Sequence, residues 1–158
     1  MKKTLLLLLL VATMAPAQTG RLENEPLLGR ELNEVTWKID NFNRKKIDLT
    51  PKGEQEFEQD NDTLVDVIQV YQNYGVPERN ITFTYHTSPK EHRLYINSIT
   101  IEGDRQLLIN FYVGFWNTTI NVDIKKDGLL ASNQYITDKI ELRTGKKSSI
   151  QITSAKPK

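Results

Sequence analysis

Residues Glu91–Lys125 read EHRLYINSITIEGDRQLLINFYVGFWNTTINVDIK, and the phase of their apolar positions decides how the rest of the chain is read. From Gln106 to Trp116 the odd positions Leu107, Ile109, Phe111, Val113 and Phe115 are all apolar, a period of two that marks a strand. After Trp116 the apolar residues move to the even positions Ile120, Val122 and Ile124, so a turn must intervene if both sets are to share one face. A two-residue turn at Asn117-Thr118 sets Phe115 opposite Ile120 and Val113 opposite Val122.

Gly103-Asp104 supplies the preceding turn, with a glycine that accepts positive φ, and sets Ile96 opposite Phe111. A third turn at Pro89-Lys90 sets Tyr85 opposite Leu94 and Phe83 opposite Ile96. The three registers agree. They predict a four-stranded antiparallel meander over 81–125, with strands Ile81–Thr87, His92–Glu102, Arg105–Trp116 and Thr119–Lys125.

Upstream, Leu64, Val67, Ile68, Tyr71 and Tyr74 recur at helical spacing, with Asp62 or Thr63 as a cap and Gly75 and Pro77 as a stop. A helix over Thr63–Tyr74 is predicted, with a strand as its competitor because Val65, Val67, Ile68 and Val70 are β-branched. Val35, Trp37 and Ile39 alternate with polar residues and predict a first strand ending near Phe42. Downstream, Asp127-Gly128 marks a turn, and Ile140 and Leu142 pair with Ile152 and Ile150 across Gly145-Lys146-Lys147 in a terminal hairpin. The fold class is α+β and mainly antiparallel: the meander carries one helix on its apolar face, and flanking strands extend it into a sheet or a sandwich.

Met1-Lys2-Lys3-Thr4, the apolar run from Leu5 and Ala15-Pro16-Ala17 have the order of a secretory signal, bacterial in style. The run is shorter than the roughly 20 residues that span a bilayer. Residues 1–17 are expected to be removed, leaving no transmembrane segment and a periplasmic or secreted protein. Residues 18–33, with Gly20, Pro26 and Gly29, read as a flexible or loosely docked leader; 34–154 form one β-rich domain and 155–158 a tail.

Cleavage also removes both methionines, and the chain has no cysteine, so disulfides and thiolate chemistry are excluded. The formal charge of +1 loses Lys2 and Lys3 to become −1, which leaves no field to attract nucleic acid.

Two histidines, His86 and His92, flank a turn, but the predicted register puts His86 opposite Arg93 and on the other face from His92, so no metal site is expected. Asp60-Asn61-Asp62 begins like a calcium loop and lacks its glycine and distal glutamate. No G-x-S-x-G and no glycine-rich phosphate loop occur, and neither histidine has an evident acid and hydroxyl partner. No cofactor and no enzymatic activity are expected.

The outer face of the meander offers a recognition surface instead. There Tyr95 lies across from Tyr112 and Asn97 from Asn110, with Trp116 beside them, and aromatics next to amides suit binding of a protein or a cell-envelope component. Two alternatives stay open: a small-molecule carrier with an apolar cavity in a curled sheet, and a hydrolase using the carboxylates of the acidic run Glu54–Asp62.

Overall fold

The computed structural model describes residues 25–52, 64–73, 75–120 and 127–155, together with the backbone of 56–60. The chain enters through helix α1, Leu32–Phe42, which runs directly into a π-helical turn at Asn43–Ile47. Strands β1 (Leu49–Pro51), β2 (Glu56–Asp60), β3 (Leu64–Asn73), β4 (Val76–Lys90) and β5 (Arg93–Gly103) follow. Helix α2 (Arg105–Phe115) then leads to β6 (Gly128–Tyr135), β7 (Asp138–Thr144) and β8 (Ser148–Ser154). All eight strands belong to one antiparallel sheet in the order β1-β3-β4-β5-β8-β7-β6, with β2 also pairing β3. The architecture is therefore α+β with an antiparallel sheet. Among the described residues the layer packed on this sheet is helical.

Two predicted strands exist, since β4 covers 81–87 and β5 covers all but the first residue of 92–102; Arg105–Phe115 is instead a helix, and Thr119–Lys125 falls largely outside the described residues. The helix wins because its segment is apolar on nearly every side: Leu107, Leu108, Ile109, Phe111, Tyr112 and Phe115 are all buried, and such a run satisfies period two and period 3.6 alike. Local chemistry reinforces the choice that burial makes. Asp104 is an N-cap whose carboxylate accepts the Leu107 N–H at 3.0 Å, and Gly103, at φ 145°, turns the chain out of β5 into that cap. Asn117 takes a left-handed conformation beyond the helix end, and the Thr118 N–H donates to the Val113 carbonyl at 3.0 Å.

The other two assignments exchange places. Leu64–Asn73 is β3, with Val67, Gln69 and Tyr71 buried at every second position, so β-branching outweighs the coincidental helical spacing. The Val35–Phe42 segment is helical, burying Leu32, Val35 and Ile39 and leaving Trp37 63% exposed. Leu27 and Leu32 also lie in the core, so the packed domain takes in residues expected in a loosely docked leader. The Leu27 N–H donates at 2.6 Å to Asp138, a buried carboxylate, and Gly29–Glu31 pairs with β5 beyond the end of β8. Burial pushes the Asp138 carboxyl up, opposed by its hydrogen bonds from the Leu27 and Leu28 N–H groups.

The terminal hairpin forms in the predicted register, Ile140↔Ile152 and Leu142↔Ile150. The β4–β5 pairing does not. Its turn sits at Glu91-His92, both at positive φ, and a bulge follows at His86/Thr87, so Tyr85 meets Ile99 and Phe83 meets Ile101.

Gln69, Phe83, Ile101, Ile150 and Leu142 form one row across five strands, facing the helices. Phe111 on α2 packs edge-on against Phe83 at 5.3 Å and against Phe42 at 5.5 Å, and stacks with Phe115 at 4.9 Å between ring centroids. Both helices and the sheet thus share one aromatic core. Each fully buried large side chain there contributes about 1.5–3 kcal/mol. Tyr71 completes the contact by donating its hydroxyl to Asp40 of α1 at 2.6 Å.

Candidate sheet-face binding site

With both described helices on one face, alternation turns every second strand residue to the opposite face, which no other described element covers. One ladder row there runs Ile68–Thr84–Thr100–Gln151–Glu141–Ser132 across six strands. The next row sets Asp66 beside His86 and His86 beside Ser98. This face is hydroxyl- and amide-rich.

His86 is its hub. Nδ1 lies 2.8 Å from Asp66 Oδ1 on β3, and Nε2 lies 3.1 Å from Thr100 Oγ1 on β5. Thr100 in turn sits 3.2 Å from Gln151 Oε1 on β8, so one hydrogen-bonded line crosses four strands. A hydroxyl has one proton, which limits the arrangements. If Thr100 donates to Gln151, both ring nitrogens of His86 donate and the ring is imidazolium. If the ring is neutral with its proton on Nδ1, Thr100 donates to Nε2 and Gln151 turns its amide nitrogen toward Thr100.

Further along the face, Glu141 holds Lys139 at 3.0 Å and Arg143 at 3.3 Å. The Lys139 ammonium, hydrogen-bonded to Glu141, keeps that carboxyl below the usual range.

The aspartate–histidine–hydroxyl order matches that of nucleophilic catalysis, in which a base oriented by an acid activates a hydroxyl. The surroundings do not match. Thr100 lies in a strand paired on both sides, by β4 and by β8, where backbone N–H groups are engaged in the ladder and no pair of them is free to stabilise an oxyanion.

Of the residues expected to bind, Tyr95 and Asn97 lie on β5. Tyr95 pairs with Ser88, and the Asn97 amide donates to Ser88 Oγ at 2.6 Å, which joins them to the open face near His86. Asn110 is exposed on α2. Tyr112 and Trp116 are 1% and 4% exposed, packed together in the core at 5.6 Å between ring centroids. The predicted set thus divides between the two layers because α2 is a helix and contributes nothing to the open face.

Asp66, Thr100 and Gln151 were not foreseen, although the alternation Thr82-x-Thr84-x-His86 carried a signal of a polar face. Within the acidic run, Glu56–Asp60 form β2, while Glu54, Asn61 and Asp62 lie outside the described residues. Among the described residues no three His, Cys, Asp or Glu side chains converge, and no helix is long and apolar enough to cross a membrane. A concavity of about 490 Å³ lies along α1 between Arg30, Glu34, Trp37 and Lys38. Family models, curated proteins and solved structures were all compared with this chain, and none matches it.

Proposed function

We propose that this is an exported, non-enzymatic protein that binds another macromolecule, a protein or a cell-envelope component, through the uncovered face of its sheet. The observation that carries this reading is the hydrogen-bonded line Asp66–His86–Thr100–Gln151. It fixes polar side chains from four strands in place, and preorganised groups lose little rotamer freedom on binding. Tyr95 beside Asn97 and Ser88 adds an aromatic surface at one end of this line. The carrier alternative needs open space between the layers, where Phe42, Phe83, Phe111 and Phe115 are packed. Export rests on the signal-like start of the sequence.

The test uses the protein without residues 1–17, immobilised and exposed to envelope fractions of its native organism. Hydrogen exchange then maps where the retained component protects the protein. Protection of β4, β5 and β8, lost together with retention in a His86→Ala, Tyr95→Ala variant and kept in Trp37→Ala, is the expected result. Retention that follows Trp37 instead would move the site to α1.

A further inference from the structure

The two long edges of the sheet are built differently. Along one edge, β1 contributes Pro51, which has no N–H, and β2 carries Glu56, Glu58 and Asp60. Charge and proline are devices that keep an edge from pairing with another chain. The other edge is β6, Gly-Leu-Leu-Ala-Ser-Asn-Gln-Tyr over 128–135, with no charge and no proline in eight residues. Among the described residues no strand pairs its outer side. The core also reaches this strand incompletely covered: Leu130, Ala131 and Tyr135 pack on it while part exposed, and Leu129 is 44% exposed.

The hydrogen-bond phase shows where a partner strand can attach. Tyr135 and Asp138 close a two-residue turn and so form a hydrogen-bonded pair, and by alternation Ser132 and Gln134 direct their N–H and C=O groups outward. The Gln134 N–H is already taken by Asn133 Oδ1 at 2.9 Å. Ser132 is the outward-facing residue in mid-strand, and its side chain is exposed.

We propose that β6 pairs antiparallel with β6 of a second copy of this chain, about a two-fold axis at Ser132. An uncharged strand meets itself without like charges opposite one another, and the two-fold contact closes. Pairing of β6 with the β1 edge of another copy would meet a proline and would be heterologous, closing only as a ring and otherwise propagating without end. In the dimer, Ser132 extends the open-face row Thr84–Thr100–Gln151–Glu141–Ser132 into its counterpart, giving one continuous polar surface. The inference rests on the edge and not on the sheet-face reading, and the two fail separately.

The chain has no cysteine, so single substitutions report directly on the register. Across a two-fold axis at Ser132 the paired Cα atoms stand about 5.5 Å apart, within disulfide range. The protein should have the mass of a dimer by light scattering across the micromolar range. Under mild oxidation Ser132→Cys should link into a covalent dimer many times faster than Asn110→Cys, an exposed control on α2. Ser132→Lys sets two cations face to face on a solvent-exposed position, and should yield a monomer with the circular dichroism spectrum of the native fold. A monomeric native protein with equal linking of the two cysteine variants would overturn the proposal, and so would a dimer that survives Ser132→Lys.

Discussion

Thr100 and Ile101 are neighbours on β5 with opposite environments. Ile101 is fully buried between Phe83 and Ile150 under the helices, whereas Thr100 is half-exposed among His86, Thr84 and Gln151. One residue of alternation separates a packing position from a position on the polar face. The difference teaches that stability in this fold resides on one face of the sheet, and that the other face is free to be shaped by something else.

Substitutions can break or sharpen that contrast. The largest expected effect is Ile101→Ala, which removes buried volume from the middle of the core row and should cost about 2–5 kcal/mol of unfolding free energy in urea. Gly103→Ala comes next. Its φ of 145° excludes an ordinary side chain, and a Cβ there would run into the backbone carbonyl of Asn80, so about 1–3 kcal/mol should be lost. Both variants should show lower denaturant midpoints.

Asp138 tests the boundary of the core through pH. Its carboxyl is raised in the folded protein, so between the unfolded value, about 4, and the raised native value the folded state holds more protons than the unfolded state. Its contribution to stability is complete below the lower value and declines as pH rises through the higher one. The stability difference between the native protein and Asp138→Asn should therefore shift against the native protein over that rise; a flat difference would place the carboxyl at its ordinary value. The smallest effect is expected for Thr100→Ala, about 1 kcal/mol or less, because its lost hydrogen bonds lie at a half-exposed surface. A cost equal to that of Ile101→Ala would mean that the open face is structural.

The site was partly legible before the fold was. Tyr95 was legible as facing away from Ile96, but it joins the face of Thr100 only through the bulge, where Thr87 pairs with Ile96 and His86 with Ser98; unbroken alternation would set Tyr95 and Asn97 with Ile99 and Ile101. Tyr112 and Trp116 could not be placed, since their location depends on whether Arg105–Phe115 alternates or coils. His86 was visible as a residue and invisible as a hub: a turn at Pro89-Lys90 pairs it with Arg93, whereas the turn at Glu91-His92 and the bulge after His86 give it Ser98, with Asp66 and Thr100 in reach. Type I′-like turns built from glutamate and histidine carry no glycine to announce them.

What the sequence determined by itself was whatever short-range contrast encodes. The alternation of β7 and β8 around Gly145 set their register, the absence of cysteine excluded thiol chemistry, and the polar positions of 82–86 marked a face that meets water. Tertiary structure decided the rest wherever a segment was apolar on all sides or apolar at two periods at once. Leu107–Phe115 and Leu64–Tyr71 each fit both templates, and burial chose between them: a segment between an aromatic sheet face and α1 gains more by coiling, and one between two strands gains more by extending.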